Sequence, residues 1–440
     1  MKGIFDMLKI ASIEDDSIVT TGMQRFTMWE TAGIDCYFKE PDLTRAYSAF
    51  MREMKEGTTV EFFQVSKLVD DTIESRFKSE TDIITKQRLS HIRKAGIKKV
   101  RNYFLISDDP PKKEFPKDPL NLQYHKNMLG SFGLRSRRVE DEEIRELLYQ
   151  MISFDNRLKI HPDMTVREQL IQKQCSAGPE FFKVGDTYCK VLSLKHLPDA
   201  TRPFMLSYLL DYLLYDYILS VSLNILPQGK EFVSLEAKER FFIATSGRGA
   251  AKNARETDEL MTLLAESRHK IGYMSAKIIV WNRDLKQLER QAIELTNLMK
   301  NENCFFEEET WGHDLEFFKS IPSQMSYSER QHRVLSPNFI DMIPAAGHGH
   351  ADAYGKHPLF LRNRFGEIYG FDAGSTKRNN KNGSIFGCSG SGKSVTVNAM
   401  IAHTFFPNIR ADRDNPGRIF IVDFAGAENS SYLKMADLYG

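Results

Sequence analysis

The sequence predicts an α/β protein of two or three domains. Short apolar stretches of strand length alternate with amphipathic stretches of helix length through the first 330 residues. A phosphate-loop motif, GCSGSGKS at 387–394, stands between a short apolar stretch and a further helical pattern. A chain of 440 residues is also long enough for each of several domains to bury a core of its own.

Residues 1–330 are predicted to form an α+β region. The loop sequence DDPPKKEFPKDP suggests a break between two subdomains near 108–125. A strand, a helix and a strand are expected near the start of the region, and the same order recurs near its end with one more helix. Such units pack as split βαβ, ferredoxin-like halves. The predicted ranges are strand 33–38, helix 43–54 and strand 58–65, then strand 276–281, helix 285–299, strand 304–306 and helix 315–320.

Between these two units the pattern is more helical. The segment 140–153 begins with acidic residues, which favour a helix N-terminus, and then repeats apolar residues at helical spacing. The segment 254–270 shows the same spacing. The apolar stripes are Ile144, Leu147, Leu148 and Met151 in the first helix, and Leu260, Leu263 and Leu264 in the second.

One apolar segment, 203–227, has the length of a membrane span. Asp211 and Asp216 lie inside it, and each would cost about 3 kcal/mol at the centre of a membrane helix. We therefore expect an amphipathic or core helix at this position rather than a membrane span.

The phosphate loop is the strongest chemical signal in the chain. A polyphosphate needs several backbone N–H groups turned inward, and glycine allows this where a Cβ would obstruct the loop. Lys393 is predicted to place its charge on the β and γ phosphates, as the catalytic residue, and the Ser394 hydroxyl to bind Mg²⁺. ATP and Mg²⁺ are the expected cofactors. The predicted nucleotide-binding residues are Gly387, Cys388, Ser389, Gly390, Ser391, Gly392, Lys393, Ser394 and Val395.

A working phosphate loop lies between a strand and a helix. We predict a buried strand at 384–386, a helix at 395–404 and a helix stop at Pro407. The next apolar run, 419–422, ends in Asp423. Asp423 and Glu428 are candidates for groups near the nucleotide, and the equal alternative is that they start a turn and cap the following helix.

The stretch 357–394 resembles the entry to the motor domain of the conjugative-transfer ATPases of type IV secretion systems, the TraC, TrbE and CagE kind. In that family a hairpin and an asparagine precede the loop, and a strand ending in an Asp-x-x-Gly-x-Glu-like segment follows. Upstream, 317–322 and 185–198 also resemble family segments, with Ser323 where the family has glycine. The matching residues are Pro358, Leu359, Phe360, Gly366, Phe371, Asp372 and Asn382, with DFAGAE from Asp423 through Gly426 to Glu428.

The resemblance implies a docking region at 1–330, a linker at 331–356 and the beginning of a RecA-like motor domain at 357–440. It further implies an ATPase that powers assembly or transport from the cytoplasmic face of a bacterial inner membrane. The implied partners are a second cytoplasmic ATPase, inner-membrane components and copies of the chain itself in a hexameric arrangement. Because no Walker B carboxylate, catalytic base or arginine finger is assigned up to Gly440, we expect this chain alone to show no ATP turnover.

Two alternatives remain open. A DNA-pumping translocase of the FtsK or HerA kind would carry a similar loop, and stimulation of ATP hydrolysis by DNA would distinguish it. The chain would otherwise act as an assembly scaffold that docks partners without hydrolysing nucleotide.

The composition limits the other function classes. With 60 basic and 59 acidic residues, the chain has no strong global field that would attract nucleic acid or membrane, and nucleic acid is not an expected partner. The basic run 86–101 is expected to be a solvated helix face, with lipid or nucleic acid as alternatives. Five scattered cysteines without a CxxC pair suit a reduced compartment. His348, His350 and His357 lie in a Gly-rich connector that is not expected to bind metal.

Overall fold

A computed structural model describes most of the first 345 residues and part of the remainder. The described residues are 4–33, 49–50, 52–68, 97–107, 119–155, 158–159, 163–245, 248–266, 269–345, 359–362, 367–371, 384–386, 388 and 391–401. The chain divides into two compact units, Met1–Lys67 with Val100–Gly349, and Leu68–Lys99 with His350–Gly440. The structure confirms the predicted mixed α/β class.

The larger sheet has 13 strands among the described residues. Its main path runs in the order β1-β2-β3-β5-β4-β10-β11-β9-β8-β7, while β6, β12 and β13 pair with β3, β9 and β11 respectively. The strands are β1 Ile10–Glu14, β2 Ser17–Thr20, β3 Arg25–Thr31, β4 Thr59–Leu68, β5 Lys98–Ser107, β6 Ser136–Arg138, β7 Cys175–Ala177, β8 Phe182–Val184, β9 Thr187–His196, β10 Tyr217–Ile225, β11 Ile271–Asn282, β12 Phe305–Glu308 and β13 His332–Leu335.

Helices cover this sheet and connect its strands. They are α1 Ile4–Met7, α2 Pro119–Ser131, α3 Asp141–Ser153, α4 Val166–Leu170, α5 Tyr208–Tyr212, α6 Gln228–Ala244, α7 Arg248–Ala265, α8 Leu285–Asn301, α9 His313–Phe318 and α10 Ser336–Met342, with short 3₁₀ turns at Met205–Ser207 and Met325–Tyr327. In the second unit the described elements are the hairpin β14 Leu359–Arg362 with β15 Ile368–Phe371, and the helix α11 Lys393–Met400.

The centre of the sheet is buried on both faces. β10 pairs antiparallel with β4 on one side and with β11 on the other. One face carries the row Phe62, Val221 and Ala276, which belongs to one hydrophobic cluster. The opposite face carries Ile218 and Ile279, which belong to a second cluster. Two separate cores therefore lie on the two faces of one sheet.

The predicted late βαβ unit is confirmed. β11 and β12 both pair antiparallel with β9 and flank it, so they run parallel to each other with β9 between them. α8 connects them. Asp284 caps the N-terminus of this helix, because its side chain accepts a hydrogen bond from the Lys286 N–H at 2.9 Å. The predicted apolar face of α8 is the buried one, through Leu288, Ala292, Leu295 and Met299.

Other predicted elements are confirmed where the structure describes them. β4 and α9 overlap the predicted strand 58–65 and the predicted helix 315–320. α3 buries its whole predicted stripe, and α7 covers most of the predicted helix 254–270. The predicted strand 33–38 lies outside the described residues except for Gly33, and so does most of helix 43–54.

The helix expected at 203–227 is wrong. Only Tyr208–Tyr212 is α-helical there, after a 3₁₀ turn, and the second half of the segment is the strand β10. Because strands on both sides provide hydrogen-bond partners and both faces are buried, a mainly apolar segment with β-branched residues is stable as a central strand. No described helix has the length and apolar character required to span a membrane.

The basic run 86–101 is also different where it is described. Its last residues form the beginning of β5 rather than an exposed helix face, and Lys98 is buried in that strand. Lys99 and Arg101 in the same strand are exposed, so this end of the run carries solvated basic side chains on a strand, and the helical expectation is wrong for it.

Candidate nucleotide-binding site

The helix after the phosphate loop begins at Lys393, directly behind Gly392. Gly392 adopts φ +85° and ψ 15°, a left-handed conformation that strains any residue with a Cβ. The Gly392 carbonyl then accepts hydrogen bonds from the Thr396 N–H at 2.9 Å and from the Thr396 hydroxyl at 3.1 Å. Glycine at this position therefore turns the loop sharply into α11.

Lys393 reaches back across the loop. Its Nζ donates a hydrogen bond to the Cys388 carbonyl oxygen at 2.8 Å, and the Ser391 N–H donates to the same oxygen at 3.2 Å. The lysine thus lies over the loop backbone, the position from which its ammonium group would contact a polyphosphate.

The described part of the loop is open beside Gly392. No atom of the described residues lies within 4 Å of the point that a Cβ on Gly392 would occupy. Ser394 and Val395 are exposed on the first turn of α11, where a helix leaves N–H groups without intrahelical partners. These residues fit ATP and Mg²⁺ in the predicted roles.

Not every predicted residue can be placed. Gly387, Ser389 and Gly390 lie outside the described residues, and so do Asp423, Glu428 and the three histidines of the connector. Among the residues that are described, no group of acidic, histidine and cysteine side chains could hold a metal ion.

The buried strand expected at 384–386 is wrong. Ser384, Ile385 and Phe386 are exposed and are not in a strand. Three residues bury their side chains as a strand only when neighbouring strands pair with them, and none of the described strands does so. The hairpin implied by the family resemblance is present, with Leu359 opposite Phe371 and Arg362 opposite Ile368. The predicted helix 395–404 is confirmed as far as it is described.

A buried cluster of ionisable side chains in the first unit was not predicted from the sequence. Lys277, fully buried on β11, lies 2.6 Å from a carboxylate oxygen of Glu316 on α9. Glu61 on β4 is also buried, and it accepts hydrogen bonds from the N–H groups of Ser323 at 2.7 Å and Met325 at 3.3 Å. Burial raises the pKa of Glu61 to about 8 and lowers the pKa of Lys277 to about 8. The only sequence signal was an isolated charge within each apolar strand.

Ser323 occupies the position where the resembled family has glycine. It is fully buried and adopts φ +68°, in the left-handed region. The backbone conformation that glycine accepts without strain is therefore retained here by a serine, which is held by the hydrogen bond from its N–H to Glu61.

Part of this chain is similar in sequence to known proteins. Residues 135–330 match the CagE, TrbE, VirB family, described as a component of the type IV transporter system. The type IV secretion system protein virB4 of Bartonella henselae is 24% identical over 253 residues, which cover 56% of this chain and 30% of the relative. The virB4 protein of Bartonella quintana is 23% identical over 277 residues, covering 60% and 33% respectively. The chain thus spans about a third of the length of these relatives. Residues 135–330 are therefore similar to the CagE, TrbE, VirB family of type IV transporter components.

Proposed function

We propose that this chain is part of the ATPase of a type IV secretion system, in which the loop 387–394 binds ATP and Mg²⁺. The observation that carries the proposal is the left-handed Gly392 followed at once by Lys393 on the first turn of α11. The family match at 135–330 does not include the loop, so the loop and the family relationship support the proposal independently.

The chemistry assigned to the loop is phosphoryl transfer to water. A bound Mg²⁺ would supply positive charge that offsets the negative charge developing on the phosphate group. Ser394 offers its hydroxyl to the ion. When ATP binds, the Lys393 ammonium group would give up its hydrogen bond to the Cys388 carbonyl and contact the β and γ phosphates. A charged acceptor then takes the place of a neutral one, which strengthens the hydrogen bond.

Nucleotide binding by the loop is tested by calorimetric titration of the chain with ATP in Mg²⁺ and in EDTA. Lys393→Ala is expected to weaken ATP binding by at least about tenfold, since it removes a charge-assisted contact. Lys300→Ala, which removes an exposed lysine at the end of α8, is the matched control and should bind as the wild type does. Equal affinity of wild type and Lys393→Ala would exclude the assigned role.

The partners follow from the proposed machine. We assign to the chain a position on the cytoplasmic face of the bacterial inner membrane, contacts with a second cytoplasmic ATPase and with inner-membrane components, and association with further copies of itself in a hexameric arrangement. The virB4 relatives are named as type IV secretion system proteins, which supports such contacts. If DNA stimulated ATP hydrolysis by a protein that contains this chain, a DNA-pumping translocase would be favoured instead.

A further inference from the structure

The helices α6 and α7 form a hairpin that is attached to the sheet at one end. At its base, the Gln228 side chain accepts a hydrogen bond from the Ile271 N–H at 2.8 Å and donates one to the Ile271 carbonyl at 3.0 Å. Arg333 forms an ion pair with Glu231 nearby. Leu235 and Met261 pack with Ile271, so the apolar contacts of the hairpin are also at the base.

The far end of the hairpin exposes apolar side chains. Leu235 is the buried side chain of α6, whereas Phe241 is 66% exposed and Ile243 is 68% exposed on its last turn. A cleft of about 550 Å³ opens between the hairpin and the sheet, with Phe241 and Phe242 in its lining, so the sheet does not close over these rings. Positions two apart do not face each other on a helix, so Phe241 and Ile243 make the end of α6 apolar on two sides. Two exposed apolar side chains at one helix end indicate a contact with something outside the chain.

The same end of the hairpin is basic. From Arg240 to Arg255 the sequence contains four basic residues and no acidic residue. Arg240 lies 4.0 Å from Glu236, and Lys252 lies 3.6 Å from Glu256. Each is an exposed pair within a single helix, and such weak pairs leave the basic side chains available to other partners. The acidic partners lie one turn closer to the base. Charge along the hairpin therefore changes from mixed at the base to positive at the far end.

An anionic lipid surface fits this combination. Phenylalanine and isoleucine partition into the boundary between headgroups and acyl chains, while lysine and arginine are attracted to lipid phosphates. Nucleic acid would match the charge but would leave Ile243 without an apolar partner. We propose that the far end of the α6–α7 hairpin is a membrane contact, which inserts Phe241 and Ile243 among the headgroups of an anionic bilayer. The inference deepens the proposed location at a membrane and rests on it.

The test is co-sedimentation of the purified chain with vesicles of phosphatidylcholine alone or with 30 mol% phosphatidylglycerol, roughly the anionic content at which basic segments bind. Phe241→Ser with Ile243→Ser, and separately Lys252→Glu with Arg255→Glu, should each lower the partition coefficient for the anionic vesicles by about tenfold or more. The matched controls are Ile293→Ser, and Lys286→Glu with Arg290→Glu, on the exposed face of α8. These variants should bind vesicles as the wild type does.

Three outcomes would overturn the inference. The first is wild-type binding to anionic vesicles no stronger than to phosphatidylcholine alone. The second is unchanged binding by both hairpin variants. The third is a hairpin-dependent association with duplex DNA or with a second copy of the chain in the absence of vesicle binding. Both hairpin variants should titrate with ATP as the wild type does, so failure at the membrane is distinguishable from failure of the nucleotide site.

Discussion

The conformation of Ser323 has a measurable cost. A left-handed backbone costs an L-residue about 1–2 kcal/mol, and a β-branched side chain tolerates it least. We predict that Ser323→Gly stays within about 1 kcal/mol of the wild type, because relief of strain offsets the entropy of glycine and the lost hydrogen bond from Gln324. Ser323→Val should lower the free energy of unfolding in urea by at least about 2 kcal/mol. Equal stability of the two variants would contradict the assigned strain.

The buried cluster predicts a pH dependence of stability. The pKa of Glu61 is raised by burial from 4.5 to about 8, so between these values the folded chain keeps a proton that the unfolded chain has released. The free energy of unfolding should therefore fall as pH rises from about 4.5 to about 8. The pKa of Lys277 is lowered by burial from 10.5 to about 8, so the contribution of this group rises with pH between those values. Together they place a minimum near pH 8.

The cluster is tested by urea unfolding across this pH range. Glu61→Gln should remove the decline below pH 8, because glutamine does not titrate. Glu307→Gln, at an exposed position on β12, serves as the control and should leave the profile unchanged. A wild-type profile that rises steadily from pH 5 to pH 8 would count against the assignment of Glu61.

Among the secondary-structure elements, the packing of α8 on the sheet can be tested by shortening single side chains of the helix. Leu295 is fully buried and Ile293 is 62% exposed on the same helix. Leu295→Ala is expected to lower the free energy of unfolding by about 2–5 kcal/mol, and Ile293→Ala by about 0.5 kcal/mol or less. Similar losses for both variants would show that α8 does not cover the sheet through the predicted face.

The elements also show what the sequence can predict. α3 and α8 each have one apolar and one polar face, and this pattern predicts a helix together with its buried side. β10 is buried on both faces, and the alternation of Ser220, Ser222 and Asn224 with apolar residues is a strand signal that the apolar length of the whole segment 203–227 obscured. The phosphate loop was predictable because its chemistry is local. The contact between Lys277 and Glu316 joins segments that are far apart in the sequence, so it could not be predicted without the fold.

Because the net charge of the whole molecule is close to zero, the recognition of partners depends on local surfaces. Two such surfaces are the loop that leads into α11, in the second unit, and the far end of the α6–α7 hairpin, in the first. Residues 135–330 are similar to a family of type IV transporter components, and the residues of these two surfaces support what the chain itself is proposed to bind.

Cys388 provides a direct probe of whether ATP and Mg²⁺ occupy the loop. Cys388 is exposed, whereas burial raises the pKa of the Cys175 thiol to about 11 and that of the Cys304 thiol to about 12, which slows their alkylation. The measurement is the rate of iodoacetamide alkylation at each cysteine, followed by mass spectrometry with and without ATP and Mg²⁺. We predict that the nucleotide slows modification of Cys388 several-fold in the wild type, on the order expected for a site mostly occupied by ligand, but not in Lys393→Ala. An unchanged rate at Cys388 under saturating ATP would contradict it.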